Sequence, residues 1–370
     1  MNLKRIVVTV LAVVMAFTLF ACAPATQSTP SESVAASTEP SADATTGADA
    51  SKGAATTGTD VKGELTLYTS EPEELVAEMV SVFNETYPDV SIEVFRSGTG
   101  KVTSKLDAEL QTGSTPANIL WFADVGYINN LDQQGMILHY APEALANIDK
   151  QYAYNEGMGH EVRLIYNIIA YNTNEVSEGP KDWKDVTTEE YKGSFGMANP
   201  NYSGGAFSAL VVHTQYPDVV GWDWYQALSD NDCKYEESNG NLQTKVSSGE
   251  YKAVEIVDFM ARNAKADGSP VEAVYPESGA VLVPTPMALM NNIPEESIPA
   301  AQAFVDWCLT DEAQQLFVKQ GYIPVTDIAG PEGAPAASEI KTLPFDLNYY
   351  VENSTAIREE YTERFGGANA

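Results

Sequence analysis

Polar and apolar positions alternate over Glu64–Tyr68, which predicts a first strand. Thr69-Ser-Glu-Pro-Glu-Glu74 then places a hydroxyl, a proline and acids in one turn, the start signals of a helix. Leu75, Met79, Val82 and Phe83 recur on one face of that helix. Val90–Phe95 predicts a second strand, Arg96-Ser-Gly-Thr-Gly100 its end, and Lys101 to about Gln111 a second helix. Asn118–Phe122 is near-continuously apolar, as a strand buried on both faces should be. Strand and helix alternating in this way imply an α/β chain with doubly wound, mostly parallel sheets.

Further along, Arg163–Asn172 reads as a long apolar strand crossing between two lobes, and Ala280–Pro284 as the return crossing. Between them, Asn199-Pro200 forces a turn, because the residue before a proline is pushed out of the helical region. Tyr202, Ser203, Gly204 and Gly205 follow, and Ala206-Phe-Ser-Ala-Leu210 opens a helical run. Ala300–Gln320 predicts one amphipathic helix with Phe304, Trp307, Leu316 and Phe317 facing the core. Asp346–Asn353 begins a last amphipathic segment, expected on the second lobe.

The ends of the chain are of another kind. Lys4 and Arg5 precede an apolar run, Ile6–Phe20, that reads as the core of a signal peptide over residues 1–22. It ends in Leu-Phe-Ala-Cys22, which resembles a bacterial lipobox and implies lipidation of Cys22 and anchorage to a membrane. Residues 23–61 are almost wholly Ala, Ser, Thr, Pro, Gly and Asp, too polar and small to form a core, and read as a disordered tether. The expected localisation is extracytoplasmic, on the cell membrane.

The chain carries 52 acidic against 21 basic residues, a formal net charge of -31. Nucleic-acid binding is excluded on that balance, since phosphodiester backbones need Lys and Arg stripes. Cys233 and Cys308 are expected unpaired, in different lobes. His139, His160 and His213 lack the spacing of a zinc site, so neither metal nor cofactor is expected.

In doubly wound sheets, ligands bind beyond the carboxyl ends of the strands. Three loops lie there in the first lobe: Thr69-Ser70, Ser97-Gly98-Thr99 and Ala123-Asp124. Two precede helices, as Ser203-Gly204-Gly205-Ala206 does. A helix start exposes unpaired N–H groups at the positive end of its dipole, a site for phosphate, phosphonate or carboxylate.

The order Tyr-Asn-Thr173, Pro180-x-x-Trp, Tyr191-Lys-Gly and Asn199-Pro-x-x-Ser-Gly204 resembles the substrate-binding proteins of ABC importers, in the branch with ferric-ion, aminoethylphosphonate and sugar-phosphate binders. The resemblance runs from about Glu64 to the C-terminus. It implies a two-lobe type 2 periplasmic-binding-protein fold closing on its ligand by hinge motion, with residues 62–163 and 285–325 in lobe 1 and 164–284 and the tail 326–370 in lobe 2. It also implies, as partners, a permease, its ATPase and a small anionic solute, with the chain a monomer. Ser203, Gly204, Gly205 and Ala206 match the family's phosphate-holding helix start. Asn239 and Asn241 match a loop whose amides donate to the same oxygens, and Asp124 and Asp258 are expected to read the rest of the solute.

The alternative is a ferric-ion binder. There the family uses a histidine and an acid of lobe 1 and a tyrosine pair of lobe 2. This chain has Pro72 about where the histidine falls, and Val254–Met260 where the tyrosines are expected, although Asp124 could supply the acid. Of a different class would be an enzyme acting on carbohydrates or phosphate esters, with Asp124 and Asp258 as a carboxylate pair. No nucleophile and base are spaced for catalysis, and the reading is a binding protein rather than an enzyme.

Overall fold

The computed structural model describes residues 60–366. The signal peptide, Cys22 and all but the last two residues of the tether lie outside that range. Val61, assigned to the tether, is buried in the core, so folded structure begins one residue earlier than expected.

In chain order the first lobe contains β1 (Gly63–Thr69), α1 (Glu73–Thr86), β2 (Val90–Arg96), α2 (Thr99–Gln111), β3 (Ile119–Trp121) and α3 (Val125–Gln133). Short strands β4 (Ile137–Leu138), β5 (Ala153–Tyr154) and β6 (Gly159–His160) lead to the crossing. The second lobe holds β7 (Tyr166–Asn172), β8 (Phe195–Ala198), α4 (Gly204–Gln215), α5 (Trp222–Asp230) and β9 (Lys234–Glu236). It continues with α6 (Asn239–Ser248), β10 (Ala253–Val257), α7 (Asp258–Ala266), β11 (Val271–Val274) and β12 (Val281–Leu282). The chain then returns through β13 (Met287–Met290), α8 (Ile298–Cys308), α9 (Asp311–Lys319) and finally α10 (Leu347–Phe365).

The strands form two sheets, β2-β1-β3-β13-β6-β5 with β4 beside β13, and β11-β7-β10-β8-β9 with β12 beside β7. Parallel pairing is confined to β2-β1-β3 and to β10-β8-β9. Strands β13 and β7 run antiparallel to those blocks, so the sheets are mixed rather than mostly parallel. The reason is topological: each of these strands follows a crossing from the other lobe and enters its sheet from the hinge end.

The two crossings lie side by side, with the Val283 N–H donating to Ile165 O at 3.0 Å. A charged cluster is buried between them. Arg163 donates to Glu71 and to Thr285, while Glu161 accepts from the Thr285 N–H and hydroxyl, both at 2.9 Å. Burial pushes the Glu161 carboxyl up to about 7, against the opposing pull of the Arg163 charge.

Two expectations need correction. The predicted helix over Ala300–Gln320 is two helices, broken at Leu309-Thr310, where the Thr310 hydroxyl accepts from the Ala313 N–H and caps α9. The C-terminal segment does not rest on the second lobe alone. α10 packs on α4 and also on α3 of the first lobe, because Tyr350 fills the space above Gly126. Cys233 and Cys308 are buried free thiols.

Candidate functional site

A cavity of about 990 Å³ lies between the lobes, floored by Ile165 and Thr285 of the crossings. Five helices begin on its wall. The residues preceding their first turns, Pro72, Gly98, Ser203, Ser238 and Val257, all line it, and so do Glu73, Thr99, Gly204 and Asn239 just inside. Each start carries about half a unit of positive charge on N–H groups without helical partners. Convergence follows from the fold, because β1, β2, β8, β9 and β10 each hand over to a helix at the carboxyl end of a strand.

Two starts are capped by their own serines. Ser203 Oγ accepts from the Ala206 N–H at 3.4 Å, and Ser238 Oγ from the Asn241 N–H at 3.3 Å. The Asn199-Pro200 turn sets this up, since Asn199 O accepts from the N–H groups of Tyr202 and Ser203. Asn239 ties the neighbouring starts together. Its Oδ1 accepts from the Val257 N–H at 3.2 Å, and its Nδ2 donates to Ser203 Oγ at 3.5 Å. In lobe 1, the start of α2 has no side-chain cap. Thr99 is buried and lines the cavity beside Gly98.

Of the residues expected to bind, Ser70, Gly98, Thr99, Tyr202, Ser203, Gly204, Gly205 and Asn239 are brought together on the wall. Six others are not. Thr69 is fully buried, its hydroxyl donating to Trp121 O at 2.7 Å and accepting from the Glu71 N–H. Ser97 gives its N–H to Thr69 O, and Ala206 gives its own to Ser203. Asn241 turns to Glu236 at 3.5 Å. Asp124 caps α3 by accepting from the Tyr127 N–H at 3.0 Å, and burial raises its carboxyl above the usual range. Asp258 is fully buried and accepts from Arg262 at 2.7 Å, the Tyr275 hydroxyl at 3.0 Å and the Tyr166 N–H at 3.0 Å. A carboxylate with those partners is a structural ion pair, not a solute contact.

The exposed acids that line the cavity are Glu73, Glu74, Glu237 and Asp267; Glu71 lines it too, but is buried and bonded to Arg163 and the Tyr322 hydroxyl. Arg96 faces it too; its Nε donates to Glu71 O at 2.9 Å. Arg96 ends β2, at the same strand end as the Ser97-Gly98-Thr99 loop, and that position was the available signal for it. Glu237 similarly adjoins the serine that caps α6. Val257, Phe259 and Met260 are on the wall where the family resemblance expects the tyrosine pair, and Pro72 where it expects the histidine. The adjacent tyrosines of α10 do not line the cavity: Tyr349 bonds Thr214 at 3.2 Å, and Tyr350 is buried. Among the described residues no three His, Cys, Asp or Glu side chains are grouped to hold a metal. His160 is a core residue of β6, and burial lowers its pKa to about 4.

Residues 78–342 match the family described as bacterial extracellular solute-binding protein. The chain belongs to that family. An uncharacterized protein of Haemophilus influenzae is 27% identical over 328 residues, 82% of this chain and 91% of that one. Among solved structures, the periplasmic binding protein AfuA from Actinobacillus pleuropneumoniae, with fructose-6-phosphate bound, superposes with a TM-score of 0.73 at 21% identity, over 82% of this chain and 98% of its own. The periplasmic binding protein P5PA gives 0.71 at 19%, over 82% and 99%. Iron-bound HitA from Pseudomonas aeruginosa gives 0.69 at 18%, over 80% and 98%. These likenesses establish the two-lobe periplasmic-binding-protein fold. Membership makes the chain a solute-binding protein of ABC-type import, extracytoplasmic and working with a permease and an ATPase. The described residues contain no helix long and apolar enough to cross a membrane.

Proposed function

We propose that this solute-binding protein captures a small phosphorylated or phosphonylated solute between its lobes. The observation that carries the reading is the convergence of five helix starts on one cavity, with Arg96 on its wall. The anionic head sits in the cavity beside the place where the start of α2 at Gly98-Thr99 meets that of α4 at Ser203-Gly204-Gly205, so that N–H donors come from both lobes. Asn239, already bonded to Ser203 Oγ, borders the same place. Glu73, Glu74 and Glu237 take over the role first assigned to Asp124 and Asp258. They pair with an amine or accept from hydroxyls on the rest of the solute. Tyr202, 52% exposed at the same wall, offers a ring face to it.

The net charge of -31 does not oppose this. Exposed charges are screened beyond roughly 8 Å at physiological salt, whereas helix-start dipoles act at contact distance. Fructose-6-phosphate in AfuA is a solute of the proposed class on the same fold. The reading keeps the chain monomeric and anchored through Cys22.

Thermal shift of the chain against aminoethylphosphonate, phosphate, glucose 6-phosphate, glycerol phosphates, ferric citrate and unphosphorylated sugars tests it. A rise with phosphorylated or phosphonylated compounds, lost in the double variant Ser203→Ala/Gly205→Val, is the expected result. A rise with ferric citrate alone would overturn it in favour of iron.

A further inference from the structure

We propose that α10 is a clasp across the two lobes and that Arg358 is its positioning residue, holding the seam where the starts of α2 and α4 meet. The clasp is independent of which solute is bound.

The helix is anchored deeply on lobe 2. Tyr361 packs edge-on to Tyr225, Phe365 stacks on Trp222, and the Tyr361 and Phe365 rings are both buried. On the lobe 1 side it packs against α3. The Tyr350 ring lies over Gly126 in the first turn of α3, so close that a Cβ there would stand 2.8 Å from Tyr350 Cε1. Only glycine admits the ring. α10 therefore packs on both lobes, on α4 in one and on α3 in the other.

Arg358 joins the two sides. Its guanidinium lies 3.5 Å from the centroid of the Phe207 ring on α4, and it donates to Pro200 O at 3.0 Å, both in lobe 2. Its other nitrogen stands 3.9 Å from Oδ2 of Asp124, the cap of α3 in lobe 1. Pro200 belongs to the turn that presents Ser203, and Asp124 follows Ala123, against whose carbonyl Gly204 is seated. One planar cation thus reaches the chain on either side of the seam, within a few residues of the contact itself. A stacked guanidinium can satisfy a ring face, a carbonyl and a carboxylate at once; an ammonium cannot.

Hydrogen exchange of the full chain, read by mass spectrometry, separates a clasp from ordinary helix packing. In Arg358→Ala, exchange should rise about tenfold both in 123–128 of lobe 1 and in 199–206 of lobe 2, while 359–365 stays protected by Tyr361 and Phe365. Arg358→Lys should recover only part of the protection. Gly126→Ala, which pries the same contact from the lobe 1 side with Arg358 intact, should reproduce the rise in both segments. Faster exchange confined to α10, a uniform rise throughout the chain, or no change at 123–128 in either variant would overturn the proposal.

Discussion

Two helix starts of similar sequence meet at the lobe boundary, Ser97-Gly-Thr-Gly100 and Ser203-Gly-Gly-Ala206, in very different surroundings. In lobe 2 the serine caps its helix, and every residue from Gly204 to His213 is buried. In lobe 1 the serine lies outside the cavity, Gly98 caps without a side chain, and α2 buries only Thr99, Val102 and Leu106. The α4 start is a wall fixed by the core behind it, whereas the α2 start is a rim on a half-exposed helix. Their glycines differ in the same sense. A Cβ on Gly98 would stand 3.4 Å from Tyr202 O, a tolerable contact. One on Gly204 would meet Ala123 O and lie 2.6 Å from Thr99 Oγ1, across the lobe boundary. Similar tetrapeptides therefore do different work, and the distinction comes from what lies behind each one.

The comparison can be broken most directly at Gly204. Gly204→Ala should weaken capture of whichever phosphorylated compound stabilises the wild type by up to about a hundredfold, as overpacking at a shared boundary would. The melting temperature of the solute-free protein should fall as well, because the added Cβ runs into the Ala123 carbonyl oxygen across the lobe boundary and the two sides must part to admit it. Calorimetric titration beside thermal unfolding checks both halves. A large fall in solute-free stability with unchanged affinity would mean that Gly204 serves the lobe 2 core instead.

The fixed character of lobe 2 has a pH signature. Glu255, on the central strand β10, is buried with one oxygen bonded to Asn167 at 2.6 Å and the other without a partner, and burial pushes it up to about 8. The folded state therefore binds this proton more tightly than the unfolded chain does. Its stabilising effect is complete below the ordinary carboxylate range near 4.5 and is lost as pH rises through about 8. Thermal unfolding should show stability falling by on the order of 3 kcal/mol between pH 5 and 8 from this group, and Glu255→Gln should remove that part of the slope. An unchanged slope in the variant would show that Glu255 does not govern it.

The smallest effects sharpen the contrast of the two starts. Ser203→Ala removes a cap and should cost about 1 kcal/mol of stability, with a weakening of capture under tenfold. Gly98→Ala, at the rim, should change stability by no more than about 0.5 kcal/mol. Denaturant unfolding of the pair measures the difference, and equal costs would erase the distinction between wall and rim.

Much of this was legible along the chain. The alternation at Glu64–Tyr68, the apolar run at Asn118–Phe122 and the Asn-Pro turn before Ser203 are local patterns, and each became the element it predicted. Even the missed break at Leu309-Thr310 had a local sign, a threonine followed by two acids. Asp124 was placed in the cleft because it sits at a strand end, where such folds bind, and Asp258 because it lies in the segment that the family resemblance assigns to the ligand. Nothing local says which way a carboxylate at a strand end turns. Asp258 is claimed by Arg262 one helical turn on, but also by Tyr275 and by the backbone of Tyr166, distant in sequence.

The sequence by itself determined the elements and the loops offering helix starts, because periodicity, caps and prolines act over a few residues. The tertiary structure alone decided that five starts share one cavity, that Arg96 and Glu237 face it, and that α10 reaches back across both lobes. Those outcomes rest on contacts between residues a hundred or more positions apart, such as Tyr350 on Gly126 and Arg358 on Phe207. Such pairings are set by the packing of the whole chain, and no short stretch of sequence encodes them.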